Sequence, residues 1–487
     1  MMDLHTYTPI LQNQSGRNAS RADPRKNGIR INKLNALFFS LGALINVFSY
    51  LSLSPVVVSA MFFLLTHALL KLTRLGGAAE IRMFNRVYCV GFLMAGVAAV
   101  YANQLNDAGQ LFSDAGGFFN MAAHDAADLT LLEIQIIHEG ALGIVLWRAI
   151  YDFFDALGFE KIRYIGIATN TTMVALSGVI GIKIIRIIFG NDEYRFRRLT
   201  LLVSSCGLFW LFASIHIRDS IILFFITALA YTWLHFLARP DLGYRLLQII
   251  LWSLLTSAFF GFLRGEFIFV PAAMAMAAIA SMFFGQVERQ RRRIAFILII
   301  IGCFVAVVLA FNFFTEIMSI MYRGKTGYSE IANEQYGTES LGLSLIVNQP
   351  TRVRLILGSI YLFVYPIPFW IGFQFESAYS FFKSTNVIFF YFFLPLIFIT
   401  LSQLKCQKWM RTPGIMFMFF LALGFILAIA ATSLETRHFG TFLLPIFVLA
   451  IVPDLRVKKY WSIYKNYLFI LLSGVLIVHL TWIFLKI

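Results

Sequence analysis

Too little charge is present in this sequence to clothe a water-soluble globule. Asp, Glu, Lys and Arg make up 13% of its residues, about half of what a soluble domain carries. Cysteine is scarce too: Cys89, Cys206, Cys303 and Cys406 stand singly, three of them within apolar runs. That pattern excludes a disulfide framework and a Cys-based metal site, and reads as buried small hydrophobes. No P-loop, no Gly-rich nucleotide motif and no solenoid-period repeat occurs, so nothing in the chain speaks for nucleotide chemistry. Residues 1–33 are polar and basic, with Arg17, Arg21, Arg25, Lys26, Arg30 and Lys33. No apolar run with a small-residue cleavage pattern follows them, and no cleavable signal peptide is expected.

What the chain has is hydrophobic length. Apolar residues make up 59% of it, and runs of about 20 residues recur from Leu34 almost to the end, each enough to cross a bilayer as a helix. The expectation is an all-α polytopic membrane protein; the strands of a barrel would be shorter and alternate in polarity. The spacing predicts about thirteen transmembrane helices, at 35–53, 55–71, 87–105, 165–187, 199–217, 219–238, 246–263, 267–285, 294–314, 386–404, 413–432, 440–455 and 466–484. The net charge of +15 is then a matter of topology and not of nucleic acid. Lys and Arg gather in the tail and in alternate loops (71–86, 183–198, 239–245, 289–293, 405–411 and 456–465), as cytoplasmic loops do. This places the N-terminus inside and the C-terminus outside. The organisation is a basic cytoplasmic tail, 1–33, and a single membrane domain, 34–487.

Two external segments are expected. Reading 140–164 as a span would bury Arg148 and Asp152 and carry a basic cluster outside, so 106–164 reads as a large external loop with interfacial helices. The segment 315–385 reads as external or re-entrant, because Pro366 and Pro368 interrupt the apolar run 355–373.

The outer ends of the spans hold unusual polar words. "NDAGQLFSDAGGFFN", 106–120, nearly repeats itself and sets Asp107 and Asp114 each beside an Ala-Gly pair. Six acids and no Lys or Arg lie between Arg86 and Arg148. "HIRDS" carries Arg218 and Asp219, "FLRGEF" Arg264 and Glu266, and "LETRHFG" Glu435, Arg437 and His438; the long outer segment adds Arg352 and Arg354. Arginine at a helix end ordinarily snorkels to lipid phosphate, and Asp ordinarily caps a helix. Several arginines meeting carboxylates on the face where basic residues are depleted suggest instead an anionic lipid head and acid–base chemistry. Asp107 or Asp114, unpaired at a membrane rim, suits a general base. His216, His235 and His438 lack metal-ligand spacing, so no metal cage made of protein ligands alone is expected. The pattern leaves room for a divalent cation, Mg or Mn, held by one or two carboxylates and a phosphate.

These words, in this order and on one side, resemble the C-type glycosyltransferases, multispanning enzymes that use polyprenyl-phosphate-linked sugars, and also the O-antigen and capsule polysaccharide polymerases. "SDAGGFFNMAAHDA" resembles their aspartate-bearing first external loop, with Phe118 or Phe119 in place of Tyr. "LFWLFASIHIRDSIILFF" resembles the Trp-containing span that ends in a basic-Asp pair. "FLRGEF" and "ETRHFGTFLLPIFVLA" resemble their Arg-bearing turns. "YPIPFW" is similar to a Pro-x-Pro-Trp segment, with Phe369 inserted. The resemblance covers about residues 87 to 450. It implies a bacterial inner-membrane enzyme of cell-surface polysaccharide synthesis that takes a polyprenyl-linked donor and a glycan or lipid-linked acceptor on the periplasmic face. Asp114 or Asp107 would serve the acceptor hydroxyl. Arg218, Arg264 and Arg437 would hold the lipid phosphate, with Asp219, Glu266, Arg352, Arg354 and His438 as further substrate contacts. The alternatives are a lipid-linked oligosaccharide flippase, which should show inverted repeats and interrupted helices, and a non-catalytic scaffold.

Overall fold

The structure is a computed structural model. It describes residues 32–73, 75–105, 113–126, 128–138, 140–238, 242–285, 349–373, 377–407 and 410–486, together with 293, 296 and 346. Among the described residues every regular element is helical, and ten helices are long and apolar enough to cross a membrane. The chain is therefore built as a multi-pass helical membrane protein.

The bundle opens with α1 (Lys33–Tyr50), α2 (Ser54–Leu72) and α3 (Ala78–Leu105). Three short helices follow, α4 (Ser113–Asn120), α5 (Leu131–Ile137) and α6 (Ala141–Ala156), before α7 (Arg163–Phe189). Next come α8 (Glu193–Ser205), α9 (Gly207–Ser214), α10 (Asp219–Leu237), α11 (Leu242–Leu263) and α12 (Val270–Phe284). The described remainder holds α13 (Thr351–Val364), α14 (Ala378–Cys406), α15 (Pro413–Ala431), α16 (Thr436–Gly440), α17 (Leu443–Ala450) and α18 (Lys458–Lys486). The packing centre is α7, which touches α3, α9 and α10 and is buried along most of its length. At the other extreme, α18 is 6% buried and is held on α14.

Several expected spans take a different form. The stretch 199–217 is two helices, α8 and α9, bent by 62° at Cys206. There α14 crosses so closely that the Gly207 Cα faces the Phe382 carbonyl oxygen. The Asn386 side-chain oxygen accepts from Leu208 N (3.3 Å) and Cys206 Sγ (3.3 Å), replacing the backbone bonds lost at the break. The stretch 440–455 forms only the eight-residue α17 as regular helix, fully buried. Helix α14 starts at Ala378 and not at 386, so 378–385 belongs to the helix and not to the outer segment. Hydropathy missed these first turns because Ser380, Lys383 and Ser384 look like loop. In the fold the Ser384 hydroxyl accepts from Gly372 N (3.2 Å), and the Lys383 ammonium sits over the rings of Tyr379 (4.3 Å) and Tyr365 (4.8 Å). The expected span 294–314 lies outside the described residues.

In the proline-bearing segment the helix ends before the prolines. Helix α13 stops at Val364, ahead of Pro366 and Pro368, and a short 3-10 turn, Phe369–Phe373, follows. The stretch 352–373 is nonetheless apolar and long enough to cross a membrane. Arg354 near its start donates to the Ala430 and Thr432 carbonyls, and Tyr379 just beyond it donates to Glu435. In the 106–164 region, α6 is amphipathic: Ile144, Trp147, Tyr151 and Phe154 are buried, and Phe153 is exposed. Arg148 donates to the Ala126 and Leu129 carbonyls, and Asp152 pairs with Lys161 at 2.7 Å. Leu132, Ile136 and Ile137 of α5 are exposed as well, an apolar edge of the kind that lies in a membrane interface.

Candidate functional site

Breaks between helices meet at the end of the bundle where α3 and α9 finish and α7, α10 and α14 begin. The break between α9 and α10 is made by α7. The Asn170 amide donates to the carbonyls of Ile215 (2.7 Å) and Ile217 (2.8 Å) and accepts from the Trp147 indole (3.2 Å), while Thr171 donates to the Ala213 carbonyl (2.7 Å). Three polar side chains, through four hydrogen bonds, thereby hold residues 215–217 extended and start α10 at Asp219. Arg218 is thrown toward α4 and the entry of α6. Its guanidinium lies over the Phe118 ring at 5.5 Å and against the backbone of Gly140. Gly140 has φ +95°, and a Cβ there would fall 2.8 Å from Arg218 Nη1, so both its conformation and its neighbour require glycine.

Arg437 is the hub. It lies on α16, the five-residue helix capped by Glu435, whose carboxylate accepts from Arg437 N at 3.3 Å. Arg437 Nη1 donates to the Asp114 carboxylate at 3.3 Å, and Arg437 Nε stands 3.8 Å from Asp219. One guanidinium thus joins the first turns of α4 and α10. Asp219 is fully buried; Asp114 keeps about half of its side chain exposed, at 47%. Beneath Arg437 lie Glu435 and the Tyr379 hydroxyl that donates to it, with Lys383 one turn further along α14. Arg264, buried at the end of α11, stacks on Phe267 at 5.5 Å.

The electrostatics follow from this crowding. Burial works against the Arg437 charge, but Asp219, Tyr379, Glu435 and Asp114 outweigh it and hold the guanidinium more firmly protonated than usual. Burial pushes the Glu435 carboxyl up, yet Lys383, Arg437 and the Tyr379 hydroxyl pull it below its ordinary value. His438 is held neutral by burial and by Arg264, Arg437 and Arg218, which all act on its ring; its Nδ1 meets the Ser433 hydroxyl at 3.0 Å. That shared influence on one imidazole puts the three arginines in one electrostatic neighbourhood. His216 is buried beneath α4 between Trp147 (ring centroids 4.1 Å apart) and the Tyr151 hydroxyl (3.3 Å from Nε2). Burial, helped by Arg163, lowers its pKa to about 3.

These shifts fix the pH response of the fold. His216 and His438 are neutral in the folded state, whereas an unfolded chain protonates them below about 6.5. Their contribution is complete above that pH and is lost as pH falls toward the folded values. Glu435, depressed in the folded state, adds a loss of the same sign at lower pH, below its ordinary 4.5. Thermal unfolding of the detergent-purified protein from pH 8 to pH 4.5 is expected to show falling stability below pH 6.5. For His216 the slope is up to about 1.4 kcal/mol per pH unit, and His216→Gln is expected to flatten it. A pH-independent midpoint would contradict the buried neutral imidazoles.

Of the residues singled out from the sequence, the structure brings together Asp114, Arg218, Asp219, Arg264, Arg437 and His438. Asp114 is ion-paired and not the lone carboxylate expected at a rim. Arg354, by contrast, is buried and donates to the carbonyls of Ala430 and Thr432, where it caps the end of α15. Arg352, its neighbour, is exposed. Asp107 and the Glu266 side chain lie outside the described residues. Among the described residues no three His, Cys, Asp or Glu come together as a metal-binding group. The carboxylates of Asp114 and Asp219 are both turned on Arg437, which supplies there the positive charge that a divalent cation would bring; the described residues do not form a cation cage. Sequence reasoning missed Lys383 and Tyr379, whose one signal was a lysine inside an apolar run, and His216 as the support under α4.

The fold and this cluster define a class, a multi-pass helical membrane protein with an ion-paired acid–arginine site at one end of its bundle. No family model, curated protein or solved structure matches the chain.

Proposed function

We propose that the protein is a membrane glycosyltransferase or polysaccharide polymerase that transfers sugar from a polyprenyl-(di)phosphate-linked donor on the outer face of a bacterial inner membrane. The observation that carries this reading is the Arg437 guanidinium shared between a half-exposed carboxylate, Asp114, and a buried one, Asp219, with Arg218 and Arg264 beside it. The outer placement rests on the bias of Lys and Arg toward the opposite end of the bundle.

In this reading the donor phosphate competes with Asp114 for Arg437. Binding of the anion draws the guanidinium away and frees the Asp114 carboxylate beside the reacting sugar. Asp114 then takes the proton of the acceptor hydroxyl as its oxygen bonds to the anomeric carbon. The bond from that carbon to the phosphate oxygen breaks, and the negative charge left on the polyprenyl phosphate is stabilised by Arg437, Arg218 and Arg264. Asp219 and Glu435, with Lys383 and Tyr379 behind them, keep Arg437 charged and aimed. Neutral His438 adds no competing charge.

One observation favours the flippase alternative: the helix broken at Cys206, since interrupted helices line transport sites. At that break, however, the Asn386 side-chain oxygen already takes up Leu208 N and Cys206 Sγ, which favours a packed wall over a transport site. The two readings separate in vitro. Lipid-linked sugar that accumulates in cells lacking this gene is offered to the purified protein in proteoliposomes. A transferase is expected to release polyprenyl (di)phosphate together with a glycan product. Movement of intact donor across the bilayer without release would replace the proposal with the flippase.

A further inference from the structure

At the opposite end of the bundle, α1, α3 and α8 enclose a cavity of about 560 Å³. The stretch of α3 from Arg86 to Leu105 separates it from the Asp114 end by about 28 Å. Its wall carries Arg82, Arg86, Arg197, Asn35, Thr200 and Ser204, and the first turn of α1 opens into it. Charge is unbalanced here. Arg82 (2.6 Å) and Arg197 (2.9 Å) share the single carboxylate of Glu193, while Arg86 meets the Phe38 ring at 5.4 Å and has no carboxylate partner among the described residues. Asn35 is 5% exposed, and its side-chain oxygen has no hydrogen-bond partner. A half-turn of that amide would present its NH2 group to a bound anion. Beside the cavity, Leu34, Leu37, Leu41 and Leu44 form an exposed stripe along α1, and Leu201 is exposed on α8.

We infer that this cleft binds the phosphate of an anionic lipid headgroup from the leaflet on that side, with the acyl chains lying along the leucine stripe of α1. Three guanidinium groups, a helix N-terminus and a buried amide are the donors a phosphate diester needs. The apolar stripe that starts at its mouth is what distinguishes a lipid from a free phosphate. The site is independent of the transfer reaction proposed for the other end.

The test is binding of fluorescent phosphatidylglycerol, against fluorescent phosphatidylcholine, to the full chain in mixed dodecyl-maltoside micelles, with inorganic phosphate as competitor. Wild-type protein is expected to prefer phosphatidylglycerol. Arg86→Gln is expected to weaken that binding about tenfold, the scale of one charge-assisted hydrogen bond. Glu193→Gln, which releases Arg82 and Arg197 from their shared carboxylate, is expected to strengthen it, a change that a purely structural role for these residues would not produce. Millimolar inorganic phosphate that displaces the lipid completely would make free phosphate the ligand and overturn the lipid assignment. Equal retention of both lipids, or unchanged binding in Arg86→Gln and Glu193→Gln, would overturn the site itself. Should Arg86→Gln fail to fold, Arg197→Gln, whose side chain is 75% exposed, carries the same comparison with the same expected loss.

Discussion

Cells carrying Asp114→Asn are expected to hold the protein at wild-type level in the membrane and to show no surface polymer, or only its shortest unit, on a glycan gel. Asp114 is half exposed and makes one ion pair at 3.3 Å, so neutralising it removes little from the fold; exposed pairs contribute about 0–1 kcal/mol. Asparagine fills the same space and still accepts from Arg437, but it cannot take the acceptor proton. Loss of a positioned general base costs about a hundredfold or more in rate, enough to erase a polymer ladder. A wild-type ladder from Asp114→Asn would remove Asp114 from the reaction. The tail and loops gain no compensating acid, because the change is confined to one first-turn residue of α4.

Gly207→Ala is expected to be the most damaging small change away from the charged cluster. An added Cβ would overlap the Phe382 carbonyl oxygen and lie 2.8 Å from the Asn386 amide nitrogen. Both obstacles are backbone of α14, so no side chain can swing aside. Either α14 retreats or α9 does, and overpacking of this kind costs about 3 kcal/mol. The consequence is functional as well. Lys383 follows Phe382 on α14 and Tyr379 lies one turn earlier, so a displaced α14 carries both away from Glu435 and loosens Arg437. The expected result is a lower unfolding midpoint in detergent together with weaker activity in whatever protein remains folded. Wild-type stability in Gly207→Ala would mean that the helices do not cross at that closeness.

How much of this was legible in the sequence depended on where the polar residues sit. Short polar words between apolar runs, such as "HIRDS" and "LETRHFG", can only be helix ends, and once the basic loops fix the sidedness they fall at one end. Asp114, Arg218, Arg264 and Arg437 were found that way, and their clustering follows from several helices ending together. Polar residues inside spans were opaque. Hydropathy gives no sign that Asn170 and Asn386 hold the breaks that aim Arg218 and seat α9. Lys383 made the first turns of α14 look like loop because a lysine in hydrocarbon is costly; its cover is the Tyr379 ring one turn earlier together with the Tyr365 ring and Glu435, which lie further off in sequence. The shortness of α17 was equally hidden, since hydropathy measures apolar length and does not register that Gly440 is pressed against Phe212 and Leu208. Arg354 shows the converse error: an arginine that looked available for phosphate spends its donors on the carbonyl end of α15.

The central claim is that Arg437 exchanges its carboxylate partners for a lipid-linked phosphate. The most direct measurement is binding of a polyprenyl phosphate, compared with the matching uncharged polyprenol, to purified wild-type and Arg437→Gln protein in mixed micelles. The account predicts that wild type prefers the phosphate and that Arg437→Gln loses about tenfold to a hundredfold of that affinity while binding the polyprenol as before. Equal affinity of the two proteins for the polyprenyl phosphate would contradict it.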